Sequence, residues 1–296
     1  MKARAFLEAE KPGQRRVKRT CELLEVSKAA YYQSLKAEPS TRARGDAELA
    51  RVIAQVHQVS DGTYGSPRVQ AELAQRGIDC GRRRVARLMR LAGLEGRCLR
   101  RWRTTTVQSA EEQRALDLIK RHFSPSGEMD TRYVGDITYV WTWSGFAYMA
   151  TVIDLASRRV VGWAVADHMR TKLVEDALHM AFAQRRPARG VIFHSDRGSQ
   201  YTSKNFAALA RANGVTLSLG STGCAYDNAV AESFFATIKR ELIGTRAWRS
   251  VTELRRAVFN YVEGWYNTRR LHSSLCYLSP AQWEALHRNT TVTVAA

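Results

Sequence analysis

Three acidic residues have the type and setting of a metal-binding site. Asp136 is the one charged residue in the apolar stretch YVGDITYV, and Asp196 directly follows VIFHS. Glu232 lies in AYDNAVAESFF, with 35 residues between it and Asp196. Carboxylate oxygens are the ligands that Mg²⁺ prefers, and an unpaired charge within an apolar strand is costly. Together, the three residues indicate a site for divalent metal ions.

Each acid taken alone also has a simpler structural explanation, which the sequence leaves open. A salt bridge could hold Asp136, and Asp196 could form a turn. Glu232 suits the first turn of a helix, where the helix dipole favours acids. Asp154 is another acid of the same region, but the neighbouring Ser157 could hold it as a turn residue. The metal-site prediction therefore depends on the three acids acting jointly.

A metal site of this kind suits chemistry on phosphodiester bonds. The reaction needs an activated oxygen nucleophile and a neutralised leaving oxygen, and two Mg²⁺ ions about 3.5–4 Å apart supply both. Mn²⁺ accepts the same oxygen ligands. Lys239 follows Glu232 by seven residues, which places it on the same helix face about 10 Å along the axis. We expect Lys239 to contact a DNA phosphate beside the metals, although a solvated lysine explains it equally well.

The charge of the chain favours a polyanionic partner. The 296 residues include 46 Lys and Arg against 28 Asp and Glu, a formal net charge of +18. Residues 1–110 hold 23 of the basic residues and 11 of the acidic ones, so most of the excess lies in this region. No apolar run of about 18 residues and no basic amphipathic anchor is present, which favours nucleic acid over a membrane surface.

The cysteines and the first residues indicate the cellular setting. Five cysteines form no C-x-x-C pair, which argues against a disulfide framework and a zinc module. Met1 is followed by charged residues without an apolar core, so we expect no signal peptide. The expectation is a cytoplasmic protein.

Helical patterns precede the acidic residues. Residues 15–36 resemble two short helices, either a helix-turn-helix or a plain helical hairpin. In GRRRVARLMRLAG, apolar residues alternate with arginines at helical spacing. Only one acid, Glu95, interrupts the nine arginines from Arg82 to Arg103, so DNA binding is favoured over a solvated basic face. The expected DNA contacts, besides Lys239, are Arg82, Arg83, Arg84, Arg87, Arg90, Arg100, Arg101 and Arg103.

Strand-like patterns begin at residue 131 and surround the acids. RYVGDITYVWT, FAYMATVIDLAS and RRVVGWAVAD predict an antiparallel meander. An apolar helix, the strand VIFH, a helix at 204–213, the strand VTLSL and the helix of Glu232 follow. This order, β-β-β-α-β-α-β-α, predicts an α/β fold of the ribonuclease-H-like type, a mixed sheet flanked by helices. An all-α region precedes it.

Several motifs resemble the OrfB-type transposases of the insertion sequence 3 family, within the superfamily of DDE transposases and retroviral integrases. The shared motifs occur in order over about residues 46–285: YGSPRV, RRVARLMRLAGL, DITY, VIDLASRRVVGWAV, HSDRGSQY, YDNAVAESFFATIKREL and WYNTRRLHSSLCYLSPAQWE. The resemblance implies that Asp136, Asp196 and Glu232 are the metal-binding catalytic triad, and that the module with YGSPRV is a helix-turn-helix. It also implies an integrase catalytic core.

The resemblance carries expectations about activity and organisation. It implies metal-dependent 3′-end cleavage and strand transfer of insertion-sequence ends, and a possible fusion with an upstream reading frame. The alternative is a non-catalytic DNA-binding accessory or regulatory subunit that needs that partner. Because two DNA ends must be joined, we expect at least a dimer on DNA. The expected regions are an N-terminal helical segment at 1–45, a helix-turn-helix domain at 46–103, a linker helix at 104–129, the core with C-terminal helices at 130–288 and a tail at 289–296.

Overall fold

The computed structural model describes residues 40–97, 128–219 and 229–293, together with residues 21–23, 25, 27–29, 32–33 and 38. Most of the predicted helix pair at 15–36 lies outside the described residues. Residues 104–127 of the predicted linker helix and the loop at 220–228 also lie outside them. The chain divides into two compact units, Met1–Gln55 and Val56–Ala296.

The helix α1 (Thr41–Val59) begins before the predicted domain boundary at residues 45 and 46. The hydroxyl of Ser40 accepts a hydrogen bond from the Ala43 N–H at 3.2 Å. This bond satisfies an amide that a helix start leaves open, so the helix can begin at Thr41. The predicted boundary therefore falls within a helix.

Two short helices follow in the second unit. α2 (Ser66–Gln75) has a proline in its first turn, and α3 (Arg82–Leu91) follows Gly81. Val85, Leu88 and Met89 of α3 are buried, as the spacing of apolar residues predicts. The opposite face of α3 carries the predicted arginines.

A mixed sheet of five strands forms the centre of the second unit. The strands are β1 (Arg132–Thr142), β2 (Gly145–Asp154), β3 (Val160–Ala166), β4 (Ile192–Ser195) and β5 (Thr216–Leu219). Their order across the sheet is β3-β2-β1-β4-β5. β1, β2 and β3 pair antiparallel, whereas β4 pairs parallel with both β1 and β5. The predicted meander and mixed sheet are confirmed.

Helices cover both faces of the sheet. α4 (Thr171–Arg185) and α5 (Lys204–Ala212) contribute to one apolar core with Val152 and Phe193. On the other face, α6 (Ala229–Glu241) and α7 (Val251–Tyr261) contribute to a second core that contains Val134. Alternate residues of the strands enter opposite cores, because successive side chains of a strand point to opposite faces.

A glycine beside Asp136 lets β1 and β4 pack closely. A Cβ atom at Gly135 would lie 2.3 Å from the Cζ atom of Phe193, which is closer than atoms can approach. The Phe193 ring therefore occupies the space over Gly135. Phe193 lies in β4, which ends just before Asp196. This packing therefore fixes β4 against β1, the strand that carries Asp136.

Two further helices, α7 and α8, end the described part of the chain. α7 begins at Val251, where the Ser250 hydroxyl accepts the Glu253 N–H at 3.2 Å, and a π-helical turn (Val262–Tyr266) continues it. α8 (Pro280–Thr293) extends past residue 289, where the predicted tail begins. An existing helix extends at little cost once its first turns are formed, which explains this continuation. None of the described helices is both long and apolar enough to span a membrane.

Candidate active site

Asp136 lies in the middle of β1, at the point where β4 no longer pairs with that strand. β4 pairs with β1 only at Arg132, Tyr133 and Val134, so the edge of β1 at Asp136 is not covered by a strand. One carboxylate oxygen of Asp136 accepts a hydrogen bond from the Ile137 N–H at 2.7 Å. The sheet therefore holds this acid at a gap where other elements can approach it.

Asp196 directly follows β4, whose C-terminal end points toward the same gap. Its Oδ1 atom accepts the Gly198 N–H at 3.0 Å, and a Cβ atom at Gly198 would lie only 3.0 Å from that oxygen. Asp196 therefore does form the turn that its sequence suggests. That single bond leaves the other carboxylate oxygen, Oδ2, for further ligands.

α6 brings Glu232 and Lys239 to the same region. Glu232 lies in the first turn of α6, and Lys239 lies in its last turn. The Lys239 Nζ atom is 5.4 Å from the centre of the Tyr139 ring, which belongs to β1. The exposed Trp141 and Phe146 continue this aromatic surface along the β1–β2 hairpin. Lys239 thus bridges from α6 to the strand that carries Asp136.

The electrostatics show that the three acids interact. The pKa of Asp136 is raised to about 7, mainly by burial, and the carboxylates of Asp196 and Glu232 contribute in the same direction. The Ile137 amide and the Lys239 ammonium act in the opposite direction. Glu232 is an exposed residue overall. Neighbouring atoms nevertheless displace part of the water around its carboxylate, and this partial burial raises its pKa. The charges of Asp196 and Glu232 therefore act on the carboxylate of Asp136.

Tyr201 is a member of this site that the sequence analysis does not identify. Its hydroxyl is buried and has no hydrogen-bond partner among the described residues. Burial, and then the charges of Asp136 and Asp196, raise its pKa well above the ordinary value. The position in HSDRGSQY is the only sequence signal for this residue. The hydroxyl lies beside both aspartates and is available to a further polar group.

The donor chemistry of the site fits divalent metal ions. Among the described residues, no three Asp, Glu, His or Cys side chains already stand close enough to hold one ion together. The interacting groups are nevertheless hard carboxylate oxygens, the ligand type that Mg²⁺ and Mn²⁺ require. The orphaned Tyr201 hydroxyl would gain a partner from metal-bound water. A metal would also offset the repulsion that raises the pKa of Asp136.

Asp154 has the structural role that its neighbours suggest. Its carboxylate accepts the Ser157 N–H at 2.8 Å, the Ser157 hydroxyl at 2.7 Å and the Asp130 N–H at 3.1 Å. Asp154 is fully buried at the end of β2. These bonds occupy the carboxylate within a turn, so Asp154 is not part of the acidic site.

The predicted DNA-binding arginines lie on other elements, and the histidine before Asp196 has a structural partner. His194 is buried in β4, and its Nδ1 atom lies 2.9 Å from the Ser218 hydroxyl of β5. On α3, Arg82, Arg83, Arg84 and Arg90 are exposed and Arg87 is half-buried. Arg100, Arg101 and Arg103 lie outside the described residues. α3 therefore presents a basic surface, as the sequence predicts.

Comparison with known proteins identifies the family. Two family models described as "Integrase core domain" match residues 128–224 and 213–280, and one described as "HTH-like domain" matches residues 44–102. A putative transposase for the insertion sequence element IS986/IS6110 of Mycobacterium tuberculosis is 38% identical over 268 residues, covering 88% of this chain and 96% of the relative. The chain belongs to the insertion sequence 3 family of transposases.

Other relatives agree with this assignment. The transposase InsF for insertion sequence IS3A of Escherichia coli K12 is 35% identical over 270 residues, covering 90% of this chain and 93% of the relative. The transposase for the insertion sequence element IS629 of Shigella sonnei is 38% identical over 269 residues, covering 89% and 90%. The predicted DDE-type transposase and its integrase core are thereby confirmed.

A solved structure of the HTLV-2 integrase catalytic core domain in complex with magnesium is a more distant match. It aligns with a TM-score of 0.40 and 13% identity, covering 52% of this chain and 95% of that chain. This likeness is too weak to support a conclusion about this transposase.

Proposed function

We propose that Asp136, Asp196 and Glu232 bind two divalent metal ions, Mg²⁺ or Mn²⁺, and use them to cleave and join insertion-sequence ends. The observation that carries this proposal is the influence of two carboxylates on the third. The three acids come from β1, from the turn after β4 and from α6, yet Asp196 and Glu232 both raise the pKa of Asp136. This influence supports a joint role for three acids from separate elements of the transposase.

The chemistry consists of two phosphoryl transfers. In the first, a water oxygen attacks a phosphorus atom at the element end, and the bond to the 3′-oxygen breaks to leave a 3′-hydroxyl. In the second, that hydroxyl oxygen attacks a target phosphodiester, and a target 3′-oxygen leaves. When bound, two such metal ions activate the attacking oxygen and neutralise the leaving oxygen. The chain contributes three ligands on a rigid sheet and a helix, which fixes the reacting geometry.

Basic residues hold the DNA in this proposal. Lys239 binds a phosphate beside the metals, where its ammonium also lowers the pKa of Asp136. The arginines of α3 bind the duplex, so residues 46–103 are a DNA-binding domain and residues 130–288 the catalytic core with its C-terminal helices. Arg100, Arg101 and Arg103 are also proposed to contact DNA. The residues at 1–45 and 104–129 lead into the two domains.

The assembly is at least a dimer on double-stranded DNA. Transposition joins two terminal repeats to one target, so two active sites must act on one complex. An upstream-frame fusion partner would add contacts to the repeats. Its contribution is measured directly by comparing the chain with and without the upstream frame in the assay below.

The test is strand transfer of a labelled oligonucleotide that ends in the terminal repeat, in the presence of Mg²⁺. Wild-type protein is expected to join the labelled end to target DNA, and Glu232→Gln to give no product above background. Glu175→Gln on α4 is the matched control, since it removes one carboxylate from another helix. Equal product from Glu232→Gln and wild type would show that the triad is wrongly assigned.

If the wild-type chain binds the ends but forms product only when fused to the upstream frame, the catalytic assignment stands and the chain requires its partner. If neither form gives product, the non-catalytic accessory role replaces this proposal. Both outcomes use the same oligonucleotide and the same metal.

A further inference from the structure

A cavity of about 570 Å³ lies in the second unit, beside α6 but apart from the three acids. The first turn of α2, the segment after α3, the turn after β2, α6 and the residues after α7 form its walls. Five arginines line it: Arg68, Arg97, Arg158, Arg240 and Arg270. Among the described residues that line the cavity, none is Asp or Glu.

A buried carboxylate behind the cavity pairs with one of its arginines. Glu241 is buried and accepts three hydrogen bonds from Arg270, the shortest at 2.7 Å, and one from the Tyr261 hydroxyl at 2.8 Å. The Arg270 charge holds the pKa of Glu241 below its usual range although burial raises it. Among the described residues, the Glu241 carboxylate is thus engaged by Arg270 and Tyr261 and is not part of the cavity lining.

His272 lines the cavity, and its pKa is affected by the charges of the arginines there. This histidine is buried, and the Tyr266 ring contacts it edge-on at 4.8 Å between ring centres. Burial lowers its pKa well below the ordinary value, and the charges of Arg270, Arg68 and Arg158 lower it further. The imidazole is therefore neutral at pH 7, because burial first and then the three cations disfavour its charged form.

The arginines are fixed in place by bonds to backbone carbonyls. Arg68 donates through Nε to the Leu271 oxygen at 3.0 Å, and Arg97 donates to the Arg240 and Glu241 oxygens at 3.2 and 3.1 Å. A guanidinium group has five N–H donors, so these bonds orient the side chains and use only part of their capacity. Preorganised arginines that retain donors are suited to bind the oxygens of a phosphate.

α6 relates the cavity to the acidic site. Ser233, Thr237 and Arg240 of α6 line the cavity. Glu232 and Lys239 precede two of these residues by one position, so they lie on the neighbouring face of the helix, about 100° away. A DNA strand with one phosphate at the acids can therefore place another phosphate near the arginines.

We propose that this arginine cavity binds a backbone phosphate of the same DNA whose scissile phosphate lies at Asp136, Asp196 and Glu232. The inference rests on the proposed function, because that function defines where the DNA lies. The hydroxyls of Ser233, Ser273 and Ser274 add neutral donors at the rim of the cavity. The site holds the DNA strand on one side of α6 while the reaction takes place on the other.

The experiment measures binding of the full chain to a labelled duplex with the terminal repeat, in EDTA, over a range of KCl concentrations. Arg240→Gln is expected to weaken binding roughly tenfold, since it removes a charged hydrogen-bond donor. It should also reduce the slope of log Kd against log [KCl] by about 0.9 for each phosphate that the variant no longer neutralises. Ser274→Glu, which adds an acid to the exposed rim, is expected to act in the same direction.

Two variants on α7 are the matched controls. Arg256 and Asn260 are exposed and do not line the cavity. Arg256→Gln and Asn260→Glu therefore make the same chemical changes elsewhere and should keep the wild-type slope. Thermal unfolding of all four variants confirms that each is folded before its affinity is compared.

The outcomes separate this inference from the proposed function, because binding in EDTA needs no chemistry. If Arg240→Gln and Ser274→Glu both keep the wild-type slope while strand transfer by wild type succeeds, the cavity assignment is overturned. If strand transfer fails but the slope falls in both variants, the cavity still binds DNA and only the proposed chemistry is excluded. If inorganic phosphate raises the Tm of wild type but not of Ser274→Glu, and the DNA slope is the same in both, the cavity binds small anions and the DNA assignment is overturned.

Discussion

The acidic site and the arginine cavity lie on neighbouring faces of α6, and their side chains carry opposite charges. At the acidic site, the charges of Asp196 and Glu232 raise the pKa of Asp136, and the Lys239 ammonium lowers it. In the cavity, five arginines come together among the described residues, and Arg270 is paired with the buried carboxylate of Glu241. Each region holds like charges together, which folding alone does not favour.

The two regions therefore require different ligands. Carboxylates that repel one another are stabilised by cations, whereas clustered arginines are stabilised by anions. A phosphodiester bound together with divalent metals supplies both kinds of charge. A helix is roughly 10–12 Å in diameter. Metal ions and phosphates bound on two faces of α6 can therefore lie less than about two helix diameters apart.

The largest expected effect comes from removing one acid. Asp136→Asn should lower strand transfer by roughly 10³-fold, because metal-based charge stabilisation provides several kcal/mol. Binding of the terminal-repeat duplex in EDTA should be unchanged or slightly tighter, since a negative charge is removed. Gel-resolved strand transfer and fluorescence anisotropy measure the two quantities. A loss of binding equal to the loss of product would mean that the two regions do not have separate roles.

The next effect concerns the buried pair beneath the cavity. Arg270→Met should reduce the free energy of unfolding by about 3–5 kcal/mol, because it leaves the Glu241 carboxylate buried without its partner. The Arg270 and Glu241 side chains are only 6% and 4% exposed. Urea unfolding gives the value, with Arg256→Met as a control expected to change it by less than about 0.5 kcal/mol.

The double variant Arg270→Met with Glu241→Leu should recover most of this stability, since no isolated charge remains. If Arg270→Met alone is as stable as wild type, the Arg270–Glu241 pair does not hold the C-terminal end of α6 in place.

A smaller effect is expected at Arg97, which joins the segment after α3 to the end of α6. Arg97→Gln removes two bonds from a cation to the Arg240 and Glu241 carbonyls. The free energy of unfolding should fall by about 1–2 kcal/mol, the typical value for charged hydrogen bonds at a helix C terminus. Urea unfolding measures it, and Arg90→Gln on the exposed face of α3 serves as the control. Equal stability of Arg97→Gln and wild type would argue against this link.

The smallest effect is a pH dependence that originates from His272. Its folded pKa lies below the ordinary value of 6.5, so the unfolded chain takes up a proton that the folded chain does not. Stability should therefore fall as the pH decreases from 6.5 toward the folded pKa, by at most about 1.4 kcal/mol per pH unit. Above pH 6.5 this residue should have no effect.

Urea unfolding at several pH values, compared between wild type and His272→Gln, isolates this contribution from the other histidines. The variant should show the shallower dependence. Identical dependence in both proteins would mean that the arginines do not hold His272 neutral. Inorganic phosphate should reduce the wild-type dependence if an anion in the cavity offsets the three cations.

Sequence patterns predict the core of this transposase well, for identifiable reasons. The alternation in RYVGDITYVWT marks β1 and makes the charge of Asp136 conspicuous, since strands bury alternate residues. The short stretch VIFHS ends at a turn and so locates Asp196. Glu232 is found through its motif and its spacing. Each of these signals can be recognised in the sequence without knowledge of the tertiary structure.

The arginine cavity could not be found in the same way. Its five arginines lie between residues 68 and 270 on different elements, so no window of sequence contains the pattern. Tyr201 is equally hidden, because only packing shows that its hydroxyl has no partner among the described residues. The start of α1 and the extent of α8 depend on capping and on helix propagation, which fix boundaries less strongly than apolar periodicity fixes the helices.

The decisive test of the metal site replaces one proposed ligand with sulfur. Asp136→Cys is assayed for strand transfer of the terminal-repeat oligonucleotide in Mg²⁺ and, separately, in Mn²⁺. Mg²⁺ binds hard oxygen ligands and tolerates a thiolate poorly, whereas Mn²⁺ lies further along the series toward metals that accept softer ligands. If Asp136 binds the catalytic metal, wild type gives product with both metals, and Asp136→Cys gives product with Mn²⁺ alone. Wild-type activity of Asp136→Cys in Mg²⁺ would contradict the claim that Asp136 binds the catalytic metal.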